Sequence, residues 1–120
     1  MPLHESAEMY LETIYTLTQH SSTVRSIDLA EAMGYTKPSV SRAVSLLKRD
    51  GYLETDKDGY LILTPAGKAV AEKIYERHTV ITAALVALGV DHQTAAVDAC
   101  KIEHVISDHS FDAIKHHMGQ

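Results

Sequence analysis

The chain has 120 residues, 45% of them hydrophobic, with three prolines and a net charge of -5. That is apolar enough to build a packed core, too short for two separate enzymes, and too acidic overall for a uniformly basic nucleic-acid binder. No apolar run reaches the roughly 18 residues that span a bilayer, and no charged-then-apolar signal pattern opens the chain. With Cys100 as the single cysteine, no internal disulfide can form, so a cytoplasmic, reducing setting is expected.

From about Glu5 to His20, Ala7, Leu11, Ile14, Tyr15 and Thr18 recur at helical spacing and predict a first amphipathic helix. Ser26 is placed to cap a short helix over "IDLAEAM", with Gly34 as its stop. In "TKPSVSRAVSLLKRDG", Thr36 is the expected cap, Pro38 lies in the first turn, Val40, Val44 and Leu47 form the apolar stripe, and Gly51 ends it. "YLETDKDGYLILT" follows, two short apolar runs around Asp58-Gly59, which predicts a β-hairpin. Helix, turn, helix and hairpin in that order make a winged helix.

Thr64-Pro65 then opens a long helix through Leu88, nearly continuously apolar from Val80 and ended by Gly89. Such a stretch is expected to be buried, in its own unit or against a second copy. Asp91 or Thr94 opens a helix to about Ser107, and Ser107 or Ser110 opens a last one to about His117. The expected fold is mostly α: a winged helix-turn-helix DNA-binding domain over residues 1–63, then a helical dimerisation and metal-binding domain over 64–120.

Charge is divided unevenly between the halves. Between Thr23 and Arg49, five bases face only Asp28 and Glu31, and no acid lies between Glu31 and Asp50. A recognition helix puts its N-terminal residues at base edges while neighbouring groups hold phosphates. Thr36, Lys37, Pro38, Ser39, Ser41 and Arg42 fit that position. Arg42 is the candidate for guanine, because its guanidinium donates two parallel bonds. Arg25, Lys37, Ser39, Lys48 and Arg49 suit phosphates, and Lys57 sits at the wing tip.

From Ile74 to Gln120, six carboxylates face three bases, and six of the eight histidines lie there. Within "ACKIEHVIS", Cys100, Glu103 and His104 project together on a helix, apart from the apolar stripe of Ala95, Ala99, Ile102 and Ile106. Thiolate, carboxylate and imidazole are ligands for first-row transition metals, and a cation offsets the cost of burying them together. Met9 and Glu12 on the first helix and His78 on the long one are candidates to complete the set.

"EMYLETIYTL", "AEAMGYTKPSVSRAVSLLKRDGYL", "GYLILTPAGKAVAEKIYERH" and "DACKIEHVISD" together resemble the diphtheria-toxin-repressor family of metal-dependent transcriptional repressors, which includes the manganese-transport regulators. The resemblance implies a homodimer that represses metal-uptake genes from a palindromic operator when Fe(II) or Mn(II) is bound. By position, Met9, Cys100, Glu103 and His104 match the activating site of the iron branch, whereas Glu12 and His78 match second-metal ligands of the manganese branch. Thr82 and Ala96 stand where the iron branch's ancillary site has a carboxylate and an imidazole. The chain ends soon after its sixth helix, so the SH3-like domain of many iron-branch members is expected to be absent.

Sulfur donors favour Fe(II) as the physiological ion, with Mn(II) an alternative and Co(II), Ni(II) or Zn(II) as substitutes in vitro. Cys100 is left open as a ligand through sulfur or through its carbonyl. Two competing readings remain on the residues alone. One is a winged-helix regulator sensing oxidation at Cys100 or a small organic ligand. The other is a small metal hydrolase, for which no substrate pocket is evident in the sequence.

Overall fold

The computed structural model describes residues 4–119, which form six helices and one two-stranded sheet. The chain packs as two compact units, one ending at Glu72 and the other starting at Lys73. That division falls inside the fourth helix, nine residues beyond the sequence-based boundary at residue 63.

In the first unit, α1 (Glu5–Thr18) buries Tyr10, Leu11 and Ile14 and carries Glu5 and Glu8 in its first turn, where the helix dipole favours acids. It stops two residues earlier than predicted, because the N–H groups of Gln19, His20 and Ser21 turn back onto Thr16 and Leu17 carbonyls. α2 (Ser26–Met33) begins on Arg25, not on a Ser26 cap: the Asp28 carboxylate accepts from the Arg25 N–H at 2.8 Å, and Ser26 is the first helical residue. Gly34 ends it in the left-handed conformation, φ 69°.

α3 (Lys37–Arg49) starts as predicted. Thr36 Oγ1 accepts from the Ser39 N–H at 3.3 Å, and Pro38 falls in the first turn, where no N–H is missed. Val40, Val44 and Leu47 turn inward. β1 (Leu53–Thr55) and β2 (Leu61–Leu63) pair antiparallel with Leu53 opposite Leu63 and Thr55 opposite Leu61. The Asp56 carboxylate closes their connection by accepting from the N–H groups of Asp58 (2.9 Å) and Tyr60 (3.0 Å). Two further bonds fix this hairpin to the helices: Leu61 N–H to the Val24 carbonyl at 2.7 Å, and Lys48 Nζ to Thr55 Oγ1 at 3.2 Å.

Thr64 Oγ1 accepts from the Gly67 N–H at 3.1 Å and donates to the Gly51 carbonyl at 2.6 Å, so one hydroxyl starts α4 (Pro65–Ala87) and holds it to the end of α3. Gly67 is required by packing: a Cβ there would lie 2.0 Å from the Tyr52 carbonyl oxygen. Leu11, Ile14, Leu29, Val40, Leu53, Leu61 and Ala71 share one core, so the first turns of α4 belong to the winged unit.

The second unit holds the rest of α4, α5 (His92–Ile102) and α6 (Asp108–His117). Asp91 and Ser107 are the N-caps, accepting from Thr94 and Ser110 N–H groups, which decides both pairs left open by the sequence. Val80, Ile81, Ala99 and Phe111 form its core, with Ile102 and Ile106 packed against it. One expectation is corrected. α5 stops at Ile102, short of Ser107, with Glu103 as its C-cap and His104 in the turn that follows. At the apolar end of α4, Val80 and Ile81 are enclosed within the unit, while Val86 and Leu88 are 41% and 81% exposed in the single chain.

Candidate metal centre and nucleic-acid interface

Glu103 is the unusual residue of the second unit, a carboxylate with no exposed surface. Burying a carboxylate is expensive unless hydrogen bonds or a cation compensate it. Its Oε2 lies 3.0 Å from His78 Nδ1 and its Oε1 lies 3.3 Å from His104 Nε2, the His104 side chain being equally enclosed. Oε1 nevertheless accepts no well-aligned hydrogen bond among the described residues. Imidazoles are charged only when protonated, so this carboxylate has no permanently cationic partner among the described ion pairs. Within the second unit the carboxylate thus lies between two imidazoles, and all three are donor types suited to a divalent cation of the first transition row.

Arg77, beside His78 in sequence, does not supply that charge. The residue is 6% exposed, and its guanidinium points instead to the Glu103 carbonyl (3.1 Å), the Ile106 carbonyl (2.7 Å) and Asp108 Oδ1 (2.5 Å), while lying over the Phe111 ring. The first carbonyl belongs to the C-cap of α5 and the second to the residue before the N-cap of α6, so Arg77 holds the turn between the two helices from the side. It thereby fixes the turn carrying Glu103 and His104. Lys73 first, and then Arg77, hold the Asp108 carboxyl below its usual range.

The other predicted ligands are placed as follows. Cys100 is half-buried in the last turn of α5, three residues before Glu103. Met9 and Glu12 are both half-buried on α1, in the first unit. Of the positions matched to an ancillary site, Thr82 is buried with no hydrogen bond to its hydroxyl, and Ala96 offers a methyl group. That pair contributes one weak donor atom and no charge.

On the winged unit, Thr36, Lys37, Pro38, Ser39, Ser41 and Arg42 are all exposed, in a continuous run broken only by the buried Val40. Lys48 and Arg49 lie at the opposite end of α3, about 16 Å along its axis at 1.5 Å per residue. Both have protein partners there, Thr55 and Asp50. Lys57 is exposed in the hairpin connection. Arg25 is exposed with its guanidinium 4.6 Å from the centre of the Tyr60 ring, and Tyr60 is the main group raising its pKa. Sequence reasoning does not single out Tyr60 or Arg77. The one signal for Tyr60 is its place directly after the Asp58-Gly59 turn.

Comparison with known proteins covers both units. A family model described as the iron-dependent repressor N-terminal DNA-binding domain matches residues 2–65, and one described as the iron-dependent repressor metal-binding and dimerisation domain matches residues 64–120. The chain is 38% identical over 109 residues to the HTH-type transcriptional regulator MntR of Bacillus pumilus, covering 91% of this chain and 76% of that one. It is 36% identical over 107 residues to the iron-dependent repressor IdeR of Mycobacterium tuberculosis, covering 88% of this chain and 46% of that one. Among solved structures, a manganese-dependent transcriptional repressor in complex with manganese superposes with a TM-score of 0.87 at 27% identity, over 94% of this chain and 52% of that one. The manganese regulator SloR gives 0.84 at 26%, over 94% and 53%. The chain thus spans about half the length of the iron repressors it matches. With a winged DNA-reading unit, a helical unit built around a buried carboxylate, and both family domains matched end to end, this chain belongs to the iron-dependent repressor family of metal-dependent transcriptional regulators, and not to a family of enzymes.

Proposed function

We propose that this protein is a cytoplasmic Fe(II)-activated repressor of metal-uptake genes, binding a palindromic operator as a homodimer. The observation that carries the reading is the enclosed Glu103 carboxylate set between His78 and His104, its partners in the described ion pairs being imidazoles alone. Met9, Glu12, His78, Cys100, Glu103 and His104 are the proposed ligands, the first two by their positions in the family pattern. When bound, a divalent ion supplies the positive charge this group of donors lacks. A thioether and a thiol favour Fe(II) over the oxygen-preferring Mn(II), which remains the second choice because manganese regulators are among the relatives.

The chain's own residues do the remaining work. Arg77 holds the turn bearing Glu103 and His104, and those two with His78 present oxygen and nitrogen atoms in a fixed arrangement. Ligands on both units, which the family pattern implies for Met9 and Glu12, would couple metal occupancy to DNA reading. Their engagement sets the separation of two recognition helices, which must match successive major grooves about 34 Å apart. A linkage of about 1 to 3 kcal/mol would raise DNA affinity roughly 5- to 150-fold, and DNA would tighten metal binding equally. Thr36, Lys37, Pro38, Ser39, Ser41 and Arg42 are proposed to read the groove. Arg25 and Lys57 take phosphates, and Lys48 and Arg49, at the far end of α3, contribute less. Val86, Leu88, Val97 and Val105, exposed in the second unit, are proposed for the dimer interface.

The test is anaerobic binding to a palindromic sequence from the gene's own upstream region, titrated separately with Fe(II) and Mn(II) and repeated with His104→Ala. Binding that needs metal and disappears in the variant is expected, and the lower effective concentration ranks the ions. Binding indifferent to both ions would overturn the reading.

A further inference from the structure

We infer that Tyr60 is a positioning residue for DNA binding, holding the Arg25 guanidinium as a preformed phosphate-binding element where α2 begins beside the hairpin. The inference deepens the proposed function and rests on it for the identity of the DNA-reading face. In a helix-turn-helix the first helix crosses the DNA backbone and a wing lies alongside it. Arg25 stands where these two elements meet: Val24 accepts from Leu61 of β2 at 2.7 Å, and Arg25 itself is the residue on which α2 starts.

The backbone of Arg25 is fixed on both sides, by that bond and by the 2.8 Å bond from its own N–H to the Asp28 carboxylate. Asp28 is therefore engaged by the main chain, and none of the described ion pairs uses the Arg25 guanidinium. Its flat face is covered by the Tyr60 ring at 4.6 Å, yet the residue is exposed. The Tyr60 hydroxyl also attracts the guanidinium by a side-chain hydrogen bond, and the N–H edge turned away from Tyr60 is left to match the oxygens of a phosphate. An arginine left free at a surface must give up side-chain freedom on binding DNA. Here the stack has already restricted it.

The test compares wild type with Arg25→Met, Tyr60→Leu, Tyr60→Phe and the double variant Arg25→Met/Tyr60→Leu. Each is bound to the operator and to a non-specific duplex, with and without metal, over a range of salt concentrations. Thermal unfolding is recorded alongside. Arg25→Met should flatten the slope of log K against log salt by about 0.9 per protomer, the value for one phosphate contact. Tyr60→Leu removes no charge, yet should weaken binding about twofold to fivefold per protomer, the size expected for an exposed cation–π contact. Tyr60→Phe, which keeps the ring and loses the hydroxyl, should bind between wild type and Tyr60→Leu, and Tyr60→Leu should add nothing on top of Arg25→Met.

A Tyr60→Leu protein with wild-type affinity and slope would overturn the inference. So would effects of the two substitutions that simply multiply, or a Tyr60→Phe protein as weak as Tyr60→Leu. The non-specific duplex separates this from the wider reading. Phosphate contacts do not depend on sequence, so a wild type that binds duplex without any response to metal refutes the metal-activated repressor but still reads out the Arg25–Tyr60 pair. A wild type that binds no duplex even at low salt refutes both.

Discussion

Arg77 shows how one buried side chain can organise a site without joining it. Its donors satisfy the Glu103 and Ile106 carbonyls, and losing them would leave buried acceptors unpaired at a cost of about 1 to 3 kcal/mol. Arg77→Met is therefore expected to lower the melting temperature and to weaken Fe(II) binding measured well below that temperature, with Arg77→Lys intermediate. Loss of stability with unchanged metal affinity would restrict Arg77 to a structural part. Asp108, with its pKa depressed mainly by Lys73 and then by Arg77, adds stability that is present above its unfolded pKa near 4 and disappears as pH falls through its lower folded value. Wild type should thus be more stable than Asp108→Asn at pH 6 to 7, and urea midpoints of the two should converge below about pH 4. Glu103 and His104 stood out in the sequence because a carboxylate and an imidazole three and four positions after Cys100 share a helix face. Arg77 did not, since two of its partners are backbone carbonyls 26 and 29 positions away, and a carbonyl leaves no mark on the residue that bears it.

The starts of helices were easier to read than their ends. Thr36, Thr64, Asp91 and Ser107 each accept from a backbone N–H three residues on, a local bond that depends on a few neighbouring residues. The end of α5 was misjudged because Val105 and Ile106 continue the apolar pattern, whereas the helix is cut short by acceptors committed to Arg77 and by Ser107 capping α6. Gly67 likewise carried no local signal, being dictated by the Tyr52 carbonyl on the chain preceding β1. Gly67→Ala would force α4 away from that carbonyl and should destabilise the winged unit by about 1 to 3 kcal/mol, read as a shift in urea midpoint with the m-value unchanged. A midpoint equal to wild type would mean that the helix start can move freely.

For the whole molecule, order of elements was enough to identify the winged helix, and the hydrophobic content was enough to foresee a core. The first turns of α4 pack with the winged unit, Ala71 joining its core, although the family models divide the chain at residues 64–65. Leu88 and Val105 are the most exposed large apolar residues, 81% and 74%, on a unit matched by a dimerisation domain. Replacing both with aspartate should yield a monomer in sedimentation at micromolar concentration and abolish cooperative operator binding. A dimer unaffected by the double change would place the interface elsewhere.

The complete enclosure of Glu103 and the His104 side chain has a bearing on time as well as on affinity. The His78 side chain is 31% exposed, and Met9, Glu12 and Cys100 are half-buried. An ion on the proposed ligands would still have to part from the enclosed Glu103 and His104 side chains, so its release is expected to follow local opening of the helices around them. The rate at which a chelator strips the protein should then rise with chelator concentration at first and level off at the opening rate. Repression would persist for a set interval after the metal supply falls, giving the regulator a short memory of the conditions it last sensed.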